Sequence, residues 1–220
     1  MERYVDLDEI SDGRRYTAED MVKIGCGDCA GCSACCVHME QLIVLDPYDV
    51  HRMGEIPLDT LMKEHIELMV DRGVILPALK MDAETGRCSF LNQEGRCSIH
   101  DLRPGICRLF PMGRVYEDET FHYFLQMDEC DYPNKTKVKL KKWLDTPMLS
   151  KYEKYILDWH SLLCSLQDRL PALEQETIKK LDMLLLNTFF FQPYEEEFYQ
   201  EFYQRLDEFR AHEKQILSDI

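Results

Sequence analysis

An α+β fold is predicted for this chain: a small irregular cysteine-rich domain of short hairpins and helices, followed by a helical C-terminal region. Three observations lead there. Five cysteines crowd into eleven residues, Cys26-Gly-Asp-Cys29-Ala-Gly-Cys32-Ser-Ala-Cys35-Cys36, a density that packing a core does not require. Over the next hundred residues, short apolar runs are separated by glycine, proline and asparagine, the punctuation of brief strands and tight turns. Beyond residue 140 apolar positions recur at helical spacing, and Pro147, Pro171 and Pro193 each head a periodic segment, where a helix tolerates proline. The expected division is 1–140 for the cysteine-rich domain and 141–220 for a helical region packing on it.

At 220 residues and 45% hydrophobic, the chain can bury a real core. Its first ten residues are acidic and carry no basic stretch ahead of an apolar run, so no secretory signal is expected. The longest apolar stretch, 183–186 with 189–191, is interrupted by Asn187 and Thr188 and is too short to span a bilayer. A cytoplasmic protein without a membrane partner is therefore expected, and in that compartment a cysteine framework more often binds metal than forms disulfides. The formal charge of -15 argues against nucleic acid, whose phosphates it would repel.

The cysteine spacing is that of ligands. Each i, i+3 step lets one turn of backbone aim two sulfurs at a common centre, and Gly25, Gly27, Ala30, Gly31 and Ala34 leave room for that turn. Thiolates are soft donors that select zinc, cuprous copper or iron-sulfur clusters over magnesium or calcium. Cys26-x2-Cys29-x2-Cys32 opens like a bacterial ferredoxin, although no proline follows Cys36. An iron-sulfur (4Fe-4S) cluster is placed first, zinc second and a metal-free thiol or disulfide system third. The neighbours Cys35 and Cys36 would point opposite ways in an extended chain, so they are expected to serve different centres unless one is a redox-active thiol.

In chain order, Thr17 to Asp20 has a capping-box pattern and predicts a helix start. Residues 41–45 read as a short buried strand, Asp46 with Pro47 as the cap and first residue of a helix, and residues 59–72 as a second helix ended by Gly73. Val74–Leu79 reads as another strand. Arg87–Leu91 and Arg96–Ile99 flank Asn92–Gly95 as a hairpin that brings Cys88 near Cys97, and a second hairpin joins 115–116 to 121–125. Between Gly86 and Arg114 there are five arginines against two acids in a strongly acidic chain, the setting that stabilises thiolates and a net-negative metal centre. His38 and His100 are read as groups supporting the ligands rather than as ligands. Lys135–Lys142 alternates lysine with other residues, as in an exposed edge strand or charged connector.

Taken together, Cys29-x2-Cys32-x2-Cys35-Cys36, Cys88-x-Phe90-Leu91, Cys97-x-Ile99, Arg103-Pro104-x2-Cys107-Arg108-x-Phe110-Pro111 and Cys130 resemble the YkgJ-like cysteine-cluster family, described as zinc- or iron-chelating. The resemblance covers residues from about 26 to 130. It implies metal binding by Cys29, Cys32, Cys35, Cys36, Cys88, Cys97, Cys107 and Cys130, with Cys26 an additional thiol. A similar cluster occurs in flagellin lysine methylases, so the alternative to a metal-binding protein is a redox or methylase-like enzyme using a cysteine-bound iron-sulfur cluster.

No nucleophile elbow, Walker loop, dinucleotide fingerprint or HExxH pair is present, and no catalytic acid or base stands out. Helices are expected over about 147–169, 171–190 and 193–217. Cys164 falls in the apolar pattern of the first and reads as a buried thiol. In the last, Phe198, Phe202, Leu206 and Phe209 form one stripe, which must pack inside a three-helix bundle, on the metal-binding domain, or against a protein partner or a second copy.

Overall fold

A computed structural model describes residues 7–27, 32–37, 43–195 and 197–218. In chain order these form α1 (Leu7–Ile10), β1 (Met21–Gly25), a 3-10 turn at Ala34–Cys36, α2 (Pro47–Arg52), and α3 (Leu58–Thr60), which continues as a π-helical turn at Leu61–His65. They continue with β2 (Ile66–Asp71), β3 (Val74–Leu79), α4 (Gly105–Leu109), β4 (Met112–Glu117), β5 (Thr120–Leu125) and β6 (Thr136–Lys139). Last come α5 (Leu140–Leu144), α6 (Leu149–Arg169), α7 (Gln175–Phe189) and α8 (Phe198–Ser218). The strands make three two-stranded sheets, β1–β6, β2–β3 and β4–β5, so the fold is α+β with a helical C-terminus. Among the described residues no helix is long and apolar enough to cross a membrane.

Contacts group the chain into two compact units, residues 1–43 with 79–153, and residues 44–78 with 154–220. The grouping is interleaved, whereas the division at residue 140 read from the sequence is linear.

The first unit is built on β1. Val22 and Ile24 face inward while Met21 and Lys23 face solvent, the period of a strand with one buried face. The strand pairs antiparallel with β6, Met21 opposite Lys139 and Gly25 opposite Thr136. Val22 and Ile24 join Tyr16, Leu109, Met112, Tyr123, Leu140 and Leu144 in one core. The lysines of the 135–142 segment have an acid within the chain: Glu19 accepts from Lys139 at 2.6 Å and Lys141 at 2.9 Å. The Thr17–Asp20 pattern does make its expected bonds, with Asp20 Oδ2 accepting from the Thr17 amide at 2.7 Å. The chain then enters β1 rather than a helix, because Val22 and Ile24 gain a sheet partner and a core that a helix here would not offer.

The second unit combines β2–β3 with the C-terminal helices. Asp46 caps α2 as expected, its carboxylate accepting from the Asp49 amide at 2.9 Å in a complete capping box with Pro47 at the first position. The Tyr155 hydroxyl of α6 donates to Asp46 and accepts from the Tyr48 amide, each at 3.1 Å. The helix expected over 59–72 ends at His65. Its apolar residues 66, 68 and 70 suit a two-residue period equally well, and Arg72 and Gly73, both with positive φ, make the tight turn that returns the chain into β3. Gly73 is thus a hairpin residue and not a helix cap.

Phe202 and Phe209 of α8 are fully buried and Phe198 and Leu206 nearly so, packed on Tyr155 (4.6 Å from Phe202) and Phe189 (5.7 and 5.5 Å from Phe202 and Phe209). Helix α8 starts at Phe198, five residues after Pro193. The intervening turn is held by Arg205, whose guanidinium donates to the carbonyls of Thr188, Gln192 and Pro193 at 2.7–2.9 Å and pairs with Glu201. Cys164 is only half-buried, its Sγ 3.5 Å from His160 Nε2 one helical turn earlier.

Two substitutions test this packing. A Cβ added at Gly25 would lie 2.3 Å from Thr136 Oγ1 and 2.8 Å from Val138 Cγ1. Gly25→Ala is therefore expected to destabilise the β1–β6 sheet by about 1–3 kcal/mol in chemical denaturation. Phe202→Ala, which empties a fully buried aromatic site, is expected to cost about 3–5 kcal/mol. A denaturation midpoint unchanged from wild type in either variant contradicts the corresponding packing.

Candidate metal centre

The β1–β6 pair delivers two cysteine segments to one end of a sheet. Cys26 follows directly on β1, and Cys130 lies six residues before Thr136, the partner of Gly25. A Cβ at Gly27 would come within 3.5 Å of the Tyr132 hydroxyl, which brings the start of the cysteine run beside the segment carrying Cys130. The Lys135 ammonium donates to the Cys130 carbonyl and fixes that segment's curvature. Cys26 is buried, and Cys32 and Cys130 are half-buried.

The second half of the run, Cys32 to Cys36, packs on the region around Cys88 and Cys97. The Cys88 amide donates to the Cys36 carbonyl at 2.9 Å, and the Gly95 turn approaches the Ser33 hydroxyl. Cys97 pairs with Leu91 across the expected tight turn, where Asn92 Oδ1 accepts from the amides of Glu94 and Arg96. Cys88 itself pairs with Met81, so this region is a pair of short loops joined by single bridges rather than a regular hairpin. Cys107 lies half-buried on α4, which Trp143 steadies by donating from its indole to the Phe110 carbonyl at 3.2 Å.

Electrostatics show which thiols share a neighbourhood. Cys36 is pushed well up by its hydrogen bond to Cys35, by burial, and by the like charges that Cys35, Cys107 and Cys88 would carry. Cys88 is raised chiefly by burial, with Cys97 and Cys35 adding to it; Cys97 is raised chiefly by burial, with Arg103 and Arg96 opposing. Cys35 is instead lowered, to about 7, by the hydrogen bond from Cys36 and by the Arg103 guanidinium. Five thiols from three chain segments thus sense one another, and without a cation the Cys35–Cys36 pair holds a single charge. Arg103 is held in place by donating from Nε to the His100 carbonyl at 2.8 Å.

Of the residues expected from sequence, Cys35, Cys36, Cys88, Cys97 and Cys107 are brought together in this way, while Cys29 and His38 lie outside the described residues. His100 sits in the turn that anchors Arg103, its Nδ1 3.6 Å from Asp101. The premise of an extended backbone at Cys35–Cys36 does not hold. A 3-10 turn carries both residues, and it lets their thiols hydrogen-bond to each other. Arg103 and Arg96 emerge from the five arginines as the pair beside the thiols, a selection that needed the turns at 92–95 and 100–102. No two of the nine described cysteines are joined by a disulfide. Among the described residues no three Cys, His, Asp or Glu side chains converge closely enough to enclose one ion. The donor chemistry nevertheless suits a thiophilic metal: clustered sulfurs that resist joint ionisation, flanked by two guanidinium groups, are what a multivalent cation reverses.

Comparison with curated proteins and with solved structures gave no match. Residues 28–137, half of the chain, match the profile of the CxxCxxCC family, described as a "Putative zinc- or iron-chelating domain". The matched span takes in the 32–36 turn, both loops at 88–97, α4 and the Cys130 segment, and the chain belongs to the CxxCxxCC family.

Proposed function

We propose that this protein binds metal through Cys29, Cys32, Cys35, Cys36, Cys88, Cys97, Cys107 and Cys130, with an iron-sulfur cluster placed ahead of zinc. The observation that carries the reading is the mutual influence of five of these thiols from three segments, with the Arg103 guanidinium acting on Cys35 and Cys97 and that of Arg96 on Cys97. Several thiols from one tight turn, completed by thiols from distant loops, is a division that suits a four-iron cluster, and the guanidinium groups offset the negative charge such a centre carries. Two tetrahedral zinc sites would use the same eight donors. In either case the protein's own residues converge the sulfurs, release their protons on binding and screen the resulting charge.

The exposure of Cys35 favours one further reading. A centre reachable from solvent is open to electron transfer or to a substrate, which supports a redox or methylase-like role over a purely structural one. A bound cluster would supply one-electron chemistry there, and Cys35 with Arg103 would set its access and local charge.

Elemental analysis and an optical spectrum of protein purified without oxygen test the assignment. Iron with matching acid-labile sulfide and broad visible absorption supports the cluster; zinc in a colourless sample supports the tetrahedral sites; metal-free protein with specifically paired thiols rejects both. Cys107→Ser is expected to lower the metal content per chain and to open the remaining cysteines to alkylation. Unchanged stoichiometry would remove Cys107 from the ligand set. Arg103→Gln is expected to weaken metal retention against a competing chelator by about 10–100-fold while the apo protein keeps its circular dichroism. Equal retention would show that Arg103 does not act on the centre.

A further inference from the structure

Arg108 follows Cys107 on α4. It is 3% exposed. Its Nη1 donates to Thr146 Oγ1 at 2.8 Å and to the Asp145 carbonyl at 3.3 Å. Its other edge is different: Nε and Nη2 are both shut off from solvent and neither has a hydrogen-bond partner. These two N–H groups point in parallel, and their spacing matches two oxygens of a carboxylate or phosphoryl group.

A second cation shares this interior. Arg114 of β4 donates from Nη2 to the Tyr152 hydroxyl at 3.3 Å, while its Nε is also buried without a partner. The guanidinium carbons of Arg108 and Arg114 lie 5.7 and 5.6 Å from the centre of the same Tyr152 ring. Neither arginine forms an ion pair among the described residues. Glu153, the carboxylate nearby, accepts from the Tyr123 hydroxyl at 3.0 Å. Cation–π contacts offset only part of the cost of burying such charges, and a buried guanidinium is ordinarily matched by an anion.

We propose that Arg108, supported by Arg114 on the same Tyr152 ring, is a binding site for a small oxyanion, gripped side-on by Nε and Nη2 through two oxygens of a carboxylate or phosphoryl group. The grip uses none of the thiols, and it stands whichever metal they hold. Lysine at position 108 keeps the charge and loses the fork, so the Arg108→Lys variant isolates the geometry.

The test uses the full-length protein with its metal content matched between samples. Inorganic phosphate and acetate are each titrated against chloride at constant ionic strength, followed by calorimetry and by thermal melting. Saturable binding and a raised melting temperature are expected with phosphate or with acetate, and about tenfold or greater weakening in Arg108→Lys. Response to phosphate alone identifies a phosphoryl ligand; response to acetate alone identifies a carboxylate. Both anions behaving as chloride does, or Arg108→Lys binding as tightly as wild type, overturns the proposal. Should the variant fail to fold, crystals of the wild type grown with selenate decide: anomalous signal against Nε and Nη2 is expected, and ordered water there instead rejects the site.

Discussion

Thiols that ionise together repel one another, and the first unit is arranged around that repulsion. Cys36 is held above the ordinary thiol range by its hydrogen bond with Cys35 and by burial, Cys88 and Cys97 chiefly by burial, and each also senses other thiols of the group. A polypeptide has few ways to tolerate such crowding. It can keep the protons, as the hydrogen bond from Cys36 to Cys35 does for one of them, or it can supply positive charge. Arg96 supplies some of it from a turn capped by the Asn92 side chain, and Arg103 from beside the 100–102 turn, where its Nε donates to the His100 carbonyl. A metal bound at the proposed ligands would supply the remainder, and the scaffold would then act as a frame that holds incompatible groups until the cation arrives.

The frame itself is slight. Two two-stranded ribbons and a handful of one-turn helices offer limited apolar burial, and the core of this unit rests on eight side chains gathered under β1 and the β4–β5 hairpin. Isolated hairpins are marginal in water, so a metal held across the loops at 88–97, as proposed, would stabilise such a unit most. The second unit has no such need. Tyr155, Trp159, Phe189, Phe202 and Phe209 interlock there in edge-to-face and tilted pairs, and a capped α2 is tied to α6 by the Tyr155 hydroxyl.

What was legible beforehand followed from local chemistry. The Asp46-Pro47 start of α2, the β4–β5 hairpin, the Val74–Leu79 strand and the buried stripe of α8 each carry their cause within a few residues. The strand β1 was missed because its partner β6 lies more than a hundred residues away, and nothing in Met21–Gly25 announces a lysine-rich mate. Residues 66–71 were misassigned because Leu61, Met62, Ile66 and Met69 satisfy a helical period, while the decisive feature, two positive-φ residues at 72 and 73, is a property of the turn. At the candidate site, the cysteine pattern was plain from spacing, but which arginines stand beside which sulfurs depends on the long-range packing of the 32–36 turn against the loops at 88–97.

The interleaved order of the two units changes what a metal bond means for the chain. Residues 44–78 leave the first unit and return to it, and their two ends are closed by the hydrogen bond from the Leu79 amide to the Ile43 carbonyl at 2.8 Å. Just outside that gate stand Cys36 and Cys88. A metal held by both would turn the intervening fifty or so residues into a closed loop even in the unfolded polymer, lowering its entropy by the equivalent of about 4 kcal/mol. Ligation in one unit would thereby favour assembly of a segment that belongs to the other, through connectivity alone.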